Sequence, residues 1–219
     1  ALASGDINGD GYDDVIVGVP GEGISKRDRA GAVHVIYGSA AGLTGVGSGL
    51  FHQDARGIKS RAEVDDAFGE AVAASDINGD GYDDVIVGAP GEGVGWGARA
   101  QSNAGAVHII YGSAAGASGT GSQWFYQNTP GWPGRAETND RFGSSIAVSD
   151  IDGDGIGDLV VGVPGETLGN YTEAGQVQIR YNPGNWSQTP ASVQTLYQNV
   201  AGVQNKVETG DRFGSHLAL

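Results

Sequence analysis

Residues Asp76–Pro90 read DINGDGYDDVIVGAP. Oxygen-bearing side chains alternate with glycines, and the stretch then turns into a β-branched apolar run. The same register returns at Asp6–Pro20 as DINGDGYDDVIVGVP and at Asp150–Pro164 as DIDGDGIGDLVVGVP. The oxygen-rich opening predicts a cation-binding turn. The β-branched run predicts a strand leaving it. One structural unit is expected around each turn.

In the second copy, oxygen side chains fall at positions one, three, five and nine. The glycine at position six allows a sharp turn, and position seven offers its backbone carbonyl. Hard oxygens at this spacing suit Ca²⁺, whereas Mg²⁺ demands a tighter octahedron and transition metals want nitrogen or sulfur. An EF-hand opens in the same way but needs a Glu at position twelve and flanking helices. Position twelve is Val17, Val87 and Val161, and the flanks are strand-forming. The reading is therefore three Ca²⁺ turns inside β-hairpins. The ligands expected are Asp6, Asn8, Asp10, the Tyr12 carbonyl and Asp14 in the first copy. They are Asp76, Asn78, Asp80, the Tyr82 carbonyl and Asp84 in the second, and Asp150, Asp152, Asp154, the Ile156 carbonyl and Asp158 in the third. An Asp/Asn/Gly turn that binds nothing is the simpler alternative. Three occurrences in register argue against it. Asp13 and Asp83 stand where the third copy has Gly157, and are expected to be solvated. The ion's role is structural, since the carboxylates of one tight turn repel one another without it.

The leading Asp recurs at separations of 70 and 74, and a Phe-Gly pair at Phe68, Phe142 and Phe213 recurs at 74 and 71. Between these anchors the segments keep one order. A short strand (71–74, 145–148) leads into the turn. A second (14–17, 84–87, 158–161) leaves it and stops at Gly-x-Pro, because proline cannot donate to a ladder. A variable loop precedes a third strand (32–37, 106–111, 176–181). A Gly/Ser/Ala-rich turn then precedes a fourth (50–53, 123–127, 195–198). Four short strands per unit of about 70 residues, repeated in tandem, predict an all-β fold of β-propeller blades. A β-sandwich is the alternative, but it leaves so regular a repeat unexplained. The repeats are expected at about 1–67, 68–141 and 142–212, with 213–219 starting a further repeat or supplying a closing strand. Three blades are fewer than the four to eight of closed propellers. The chain is expected to be part of a longer propeller, or half of a six-bladed ring formed by a homodimer.

The chain has 219 residues, a net charge of −14 and 40 glycines, enough turns for many short strands. Its acidity repels nucleic acid phosphates and anionic lipid and suits cations. The absence of cysteine excludes disulfides and thiolate chemistry. No apolar run reaches membrane-spanning length. Methionine is also absent, so the sequence is expected to be a mature, trimmed or excised piece.

Phe68-Gly69, DINGDGYDD and Gly88-Ala89-Pro90 together resemble the FG-GAP repeat, with Gly-Val-Pro in the first and third copies. The resemblance covers the whole chain. It implies the propeller of integrin α subunits, also found in secreted bacterial proteins and in a phospholipase D acting on glycolipid anchors. It implies the Ca²⁺ ligands already named and an extracellular location. The near-identity of copies one and two suits a bacterial member. Three repeats depart from the seven blades of the integrin ring.

No catalytic constellation accompanies these turns, so the chain is not expected to be an enzyme. His34 and His108 share a strand position that is Gln178 in the third copy, and are expected to be polar residues on a strand face. Glu22, Glu92 and Glu166 follow each Gly-x-Pro and are expected to be structural. By alternation, the loops 21–30, 91–104 and 165–174 lie on the rim opposite the Ca²⁺ turns. They and the loops before each Phe-Gly carry Trp96, Trp132 and Tyr171, candidates either for partner contact or for packing on neighbouring loops. The functions expected are an adhesion or protein-interaction module, a lectin, or an accessory domain of a secreted hydrolase.

Overall fold

The computed structural model describes residues 1–95, 97, 100–182, 186 and 192–218. Trp96 lies outside the described residues. Among them, twelve strands form three four-stranded antiparallel sheets, and no helix is long and apolar enough to cross a membrane. The first sheet holds β1 (Leu2–Gly5), β2 (Asp14–Val19), β3 (Ala32–Tyr37) and β4 (Thr44–Phe51). The second holds β5 (Ala71–Ser75), β6 (Asp84–Ala89), β7 (Ala106–Tyr111) and β8 (Ser118–Phe125). The third holds β9 (Ser145–Ser149), β10 (Asp158–Val163), β11 (Gln176–Arg180) and β12 (Val193–Leu196). Each is a simple meander in which chain neighbours pair. These are blades 1, 2 and 3 of a propeller.

The blades bury their faces against one another. Ile16, Val33 and Val35 of blade 1 meet Val72, Val85, Val87 and Ile110 of blade 2. Ile86, Val107, Ile109 and Phe125 of blade 2 meet Ile146, Leu159 and Val161 of blade 3. Strand alternation sends successive side chains to opposite faces. A central blade must therefore be apolar on both, and β6 is accordingly buried at all six positions.

The Phe-Gly and Gly-x-Pro motifs form one contact. Phe68 and Phe142 are fully buried, and their N–H groups donate to the Ala30 and Ala104 carbonyls of the preceding blade. The next residue, Gly69, donates to the Gly88 carbonyl of its own blade at 2.9 Å. Its own carbonyl oxygen lies only 2.0 Å from where a Cβ on Gly18 of blade 1 would stand. Gly143 stands in the same relation to Gly88, at 2.1 Å, and Gly214 to Gly162, at 2.0 Å. Gly-x-Pro thus keeps its glycine because the next blade's Phe-Gly backbone occupies the space of a side chain.

The fourth strands depart from expectation. β4 and β8 start at Thr44 and Ser118, earlier than their composition suggests, and β12 starts at Val193. Their Gly/Ser-rich leads read as turns. An edge strand needs ladder hydrogen bonds more than buried side chains, however, and glycine supplies those. The register shifts between Val35 and Tyr37 and between Ile109 and Tyr111. Gly47 and Gly121, at φ 79° and 82°, absorb the irregularity.

Candidate metal centre and the opposite rim

The three acidic turns share one hydrogen-bond pattern. The leading carboxylate gathers the amides of the turn. Asp6 accepts from Asp10 at 3.0 Å and Gly11 at 2.9 Å. Asp76 accepts from Gly79, Asp80 and Gly81 at 2.7, 3.1 and 2.8 Å. Asp150 accepts from Gly153, Asp154 and Gly155 at 2.7, 3.0 and 2.9 Å. Gly9 and Gly11, Gly79 and Gly81, and Gly153 and Gly155 have φ between 71° and 90°, which L side chains rarely adopt. Asn8, Asn78 and Asp152 each accept from the amide two residues on. Asp10, Asp80 and Asp154 accept from the amides of Tyr12, Tyr82 and Ile156.

The last acid of each turn is placed differently. Asp14, Asp84 and Asp158 are fully buried. Asp14 accepts from Ile7 at 3.0 Å and from Gly38 at 2.8 Å. Asp84 does so from Ile77 and Gly112, and Asp158 from Ile151 and Asn182. Each therefore ties its turn to the end of the third strand while keeping a free lone pair on both oxygens. Burial pushes the Asp84 carboxyl up to about 7 and raises Asp14, against the hydrogen bonds that favour their charged forms. In the third turn, ligand oxygens of Asp150, Asp152 and Asp158 lie within 4.8 Å of one another. Among the described residues, ion pairs join Arg27 to Asp54, Arg29 to Asp65 and Arg212 to Glu173, none of them in a turn. A donor set of oxygens alone, with no basic partner, fits a hard divalent cation.

Asp83 corrects the expectation of a solvated side chain. Its carboxylate accepts the Asp6 amide at 2.9 Å, joining the turns of blades 1 and 2. Asp13, its counterpart in blade 1, is exposed. His108 is also not a polar strand-face residue. It is fully buried, edge-on to Phe68 at 5.1 Å, with both ring nitrogens unpartnered. Burial pushes its pKa down to about 3, so it is a neutral packing residue. The signal missed was the register, which aligns His108 with Val72 and Val87 on the inter-blade face.

On the opposite rim, blades are clasped by acid–amide pairs. The Gln53 amide of blade 1 donates to Glu92 of blade 2, whose other oxygen accepts from Ser60 at 2.7 Å. Gln127 of blade 2 donates to Glu166 of blade 3 at 2.6 Å. Burial pushes Glu92 up to about 8 and Glu166 to about 7, and the neighbouring Asp66 and Asp140 to about 7 and 6. A carboxyl whose folded pKa exceeds its unfolded value stabilises the fold below the unfolded pKa. That stability is lost as pH rises through the folded one. The melting temperature is therefore expected to fall between about pH 5 and pH 8. Glu92→Gln should flatten that slope and raise stability at pH 8 by about 1 kcal/mol. Thermal melts across this pH range check it, and an unchanged slope refutes it.

Trp132 is buried against Phe142, with ring centroids 5.0 Å apart, and packs rather than waits for a partner. Tyr171 is 46% exposed. With Leu168, Tyr197, Asn199, Lys206 and Glu208 it lines an open cleft of about 540 Å³.

The FG-GAP repeat model matches residues 1–36, 68–110 and 142–179. The phosphatidylinositol-glycan-specific phospholipase D of Bos taurus is 34% identical over 164 residues, covering 75% of this chain and 18% of that protein. Integrin alpha-PS3 of Drosophila melanogaster is 33% identical over 161 residues, covering 73% of this chain and 13% of the integrin. Integrin alpha-3 of Cricetulus griseus is 32% identical over 164 residues, covering 74% and 14%. The chain thus spans less than a fifth of the length of these relatives. Three matched repeats, three four-stranded sheets and the interlocked Phe-Gly and Gly-x-Pro backbones place this chain in the FG-GAP repeat family.

Proposed function

We propose that the chain is a Ca²⁺-stabilised propeller module that binds a partner outside the cell through the rim opposite its acidic turns. One Ca²⁺ per turn is held by the fifteen groups expected from the sequence. When bound, the ion cancels the repulsion among the acids of one turn. The observation that supports a scaffold role is the brace of Asp14, Asp84 and Asp158, which couples each turn to its blade. The resemblance to integrin α subunits and to a phospholipase D supports an extracellular location. No catalytic role is assigned to the chain itself, and service as an accessory part of a larger hydrolase fits its small share of the phospholipase D relatives.

The recognition site is the Tyr171 cleft. Rim loops vary between blades while the blades do not, which suits binding carried on a rigid scaffold. Two tyrosines beside an amide and both charge signs suit a protein partner, since tyrosine anchors enrich protein interfaces. The same groups favour a second reading, a glycan stacked on a tyrosine ring with its hydroxyls on Asn199 and Glu208. Parallel arrays of cell-surface proteins and of glycans, probed with the chain in Ca²⁺, decide between them. Tyr171→Ala is expected to weaken binding about tenfold or more. Reproducible binding to one sugar sinks the protein reading. Loss of no signal on Tyr171→Ala sinks the assignment of the cleft.

A further inference from the structure

We propose that the junctions between blades 1 and 2 and between blades 2 and 3 each hold a hard divalent cation of their own, on the rim opposite the acidic turns. Gln53, Asp66 and Glu92 bind the first, and Gln127, Asp140 and Glu166 the second. These two sites are independent of the ions assigned to the turns.

At the first junction, acceptor oxygens of both blades are brought together. The Gly91 amide donates to the Asp66 carbonyl at 3.0 Å, which sets the next residue, Glu92, beside Asp66. Gln53 Nε2 donates to Glu92, so Gln53 Oε1, on the same amide carbon, stands next to that carboxylate. Gln53, Asp66 and Glu92 are each 4% exposed or less. Gln53 Oε1 is buried and has no hydrogen-bond partner. The second junction repeats the arrangement. Gly165 donates to the Asp140 carbonyl at 3.0 Å, Gln127 Nε2 reaches Glu166, and Gln127 Oε1 is buried and unpartnered. A buried acceptor without a donor is costly, so its recurrence at both junctions points to a missing group.

That group is positive. Among the described residues, no ion pair reaches these four acids. Arg27, whose charge is felt by Asp66, pairs with Asp54 at 2.8 Å instead. Burial and then the Asp66 charge push the Glu92 carboxyl up, as burial and the Asp140 charge do for Glu166. One proton shared by such a pair leaves a buried negative charge, whereas a divalent cation cancels both. Carboxylate and amide oxygens, with no nitrogen or sulfur ligand, suit a hard ion. Ser60 adds a hydroxyl to the first site. It donates to Glu92 at 2.7 Å and is held at φ 76°, where the second junction has Gly134 at 86°. A serine kept in that strained region is one whose side chain is used. Glu63 and Glu137 give each site an acidic mouth. Both are exposed, and their amides donate to Asp66 and Asp140 at 2.5 and 2.6 Å.

Equilibrium dialysis of the 219-residue chain against Ca²⁺ at about 1 mM counts the ions. Five per chain are expected, three in the turns and two at the junctions. Glu92→Gln together with Glu166→Gln keeps side-chain size and hydrogen bonding at both junctions. This double variant should keep the circular dichroism of the wild type and bind two ions fewer. Gln53→Glu supplies a further carboxylate to the first site. It should tighten Ca²⁺ binding there about tenfold by calorimetry, because affinity follows ligand charge. In chelator the same variant should melt below the wild type, since three acids then repel one another. A count equal in the wild type and the double variant overturns the proposal, protons alone then filling the junctions. So does a Gln53→Glu variant that binds no more tightly than the wild type. Two ions in the wild type and none in the double variant would uphold the junction sites and remove the ions from the turns.

Discussion

Chelating calcium is expected to lower the melting temperature by about 10 °C. At millimolar Ca²⁺, a turn with a dissociation constant of about 10⁻⁴ M stabilises the folded state by roughly 1.4 kcal/mol. Three turns make that about 4 kcal/mol, and a chain of this size shifts by roughly 2–4 °C per kcal/mol. The effect reaches the blades because Asp14, Asp84 and Asp158 are bonded both to their turns and to the ends of the third strands. Asp83 carries it further, from the turn of blade 2 to that of blade 1. Differential scanning calorimetry with excess chelator, then with Ca²⁺ or Mg²⁺ restored, measures it. Full recovery is expected with Ca²⁺ and partial recovery with Mg²⁺, whose octahedron the flexible turns match poorly. An unchanged melt in chelator refutes structural calcium.

The second large effect concerns a single methyl group. Gly88→Ala is expected to cost roughly 3 kcal/mol or more, through overpacking against backbone. Its Cβ would stand 2.1 Å from the Gly143 carbonyl oxygen and 3.3 Å from the Ala71 Cβ. The obstacle is main chain held by the Gly143 N–H donating to Gly162, so no side-chain rotation relieves it. Blades 2 and 3 would have to separate, opening the core around Phe142 and Leu159. Gly45→Ala is the control. Nothing lies within 4 Å of its Cβ position, so a change under about 0.5 kcal/mol is expected. Urea unfolding of the two variants compares them directly. Equal midpoints would mean that the interlocked glycines do not fasten the blades.

Much of the fold is legible because it is local and repeated. Val85-Ile86-Val87 declares a strand by its residue types, and Gly88-Ala89-Pro90 declares its end. Three copies at near-constant spacing make the unit visible without any pairing being known. The acidic turns are legible for the same reason, since every group within one of them lies inside nine residues. The leads of β4 and β8 were not legible, because glycine and serine in an edge strand look like those of a turn.

What the sequence by itself determined is the repeat, the order of strands and the oxygen chemistry of the turns. All three follow from short-range pattern, in which residue type and spacing carry the physics. Only the tertiary structure decided which glycines meet, which acids are clasped and which histidine is buried. Gln53 and Glu92 are 39 residues apart, and Asp6 and Asp83 are 77. Contacts at that separation depend on which blade face each residue takes and on how the blades stack. His108 shows the difference most directly. Its local sequence is that of a polar residue on a strand face, yet the register sets it on the face that blade 2 turns to blade 1, where it is fully buried.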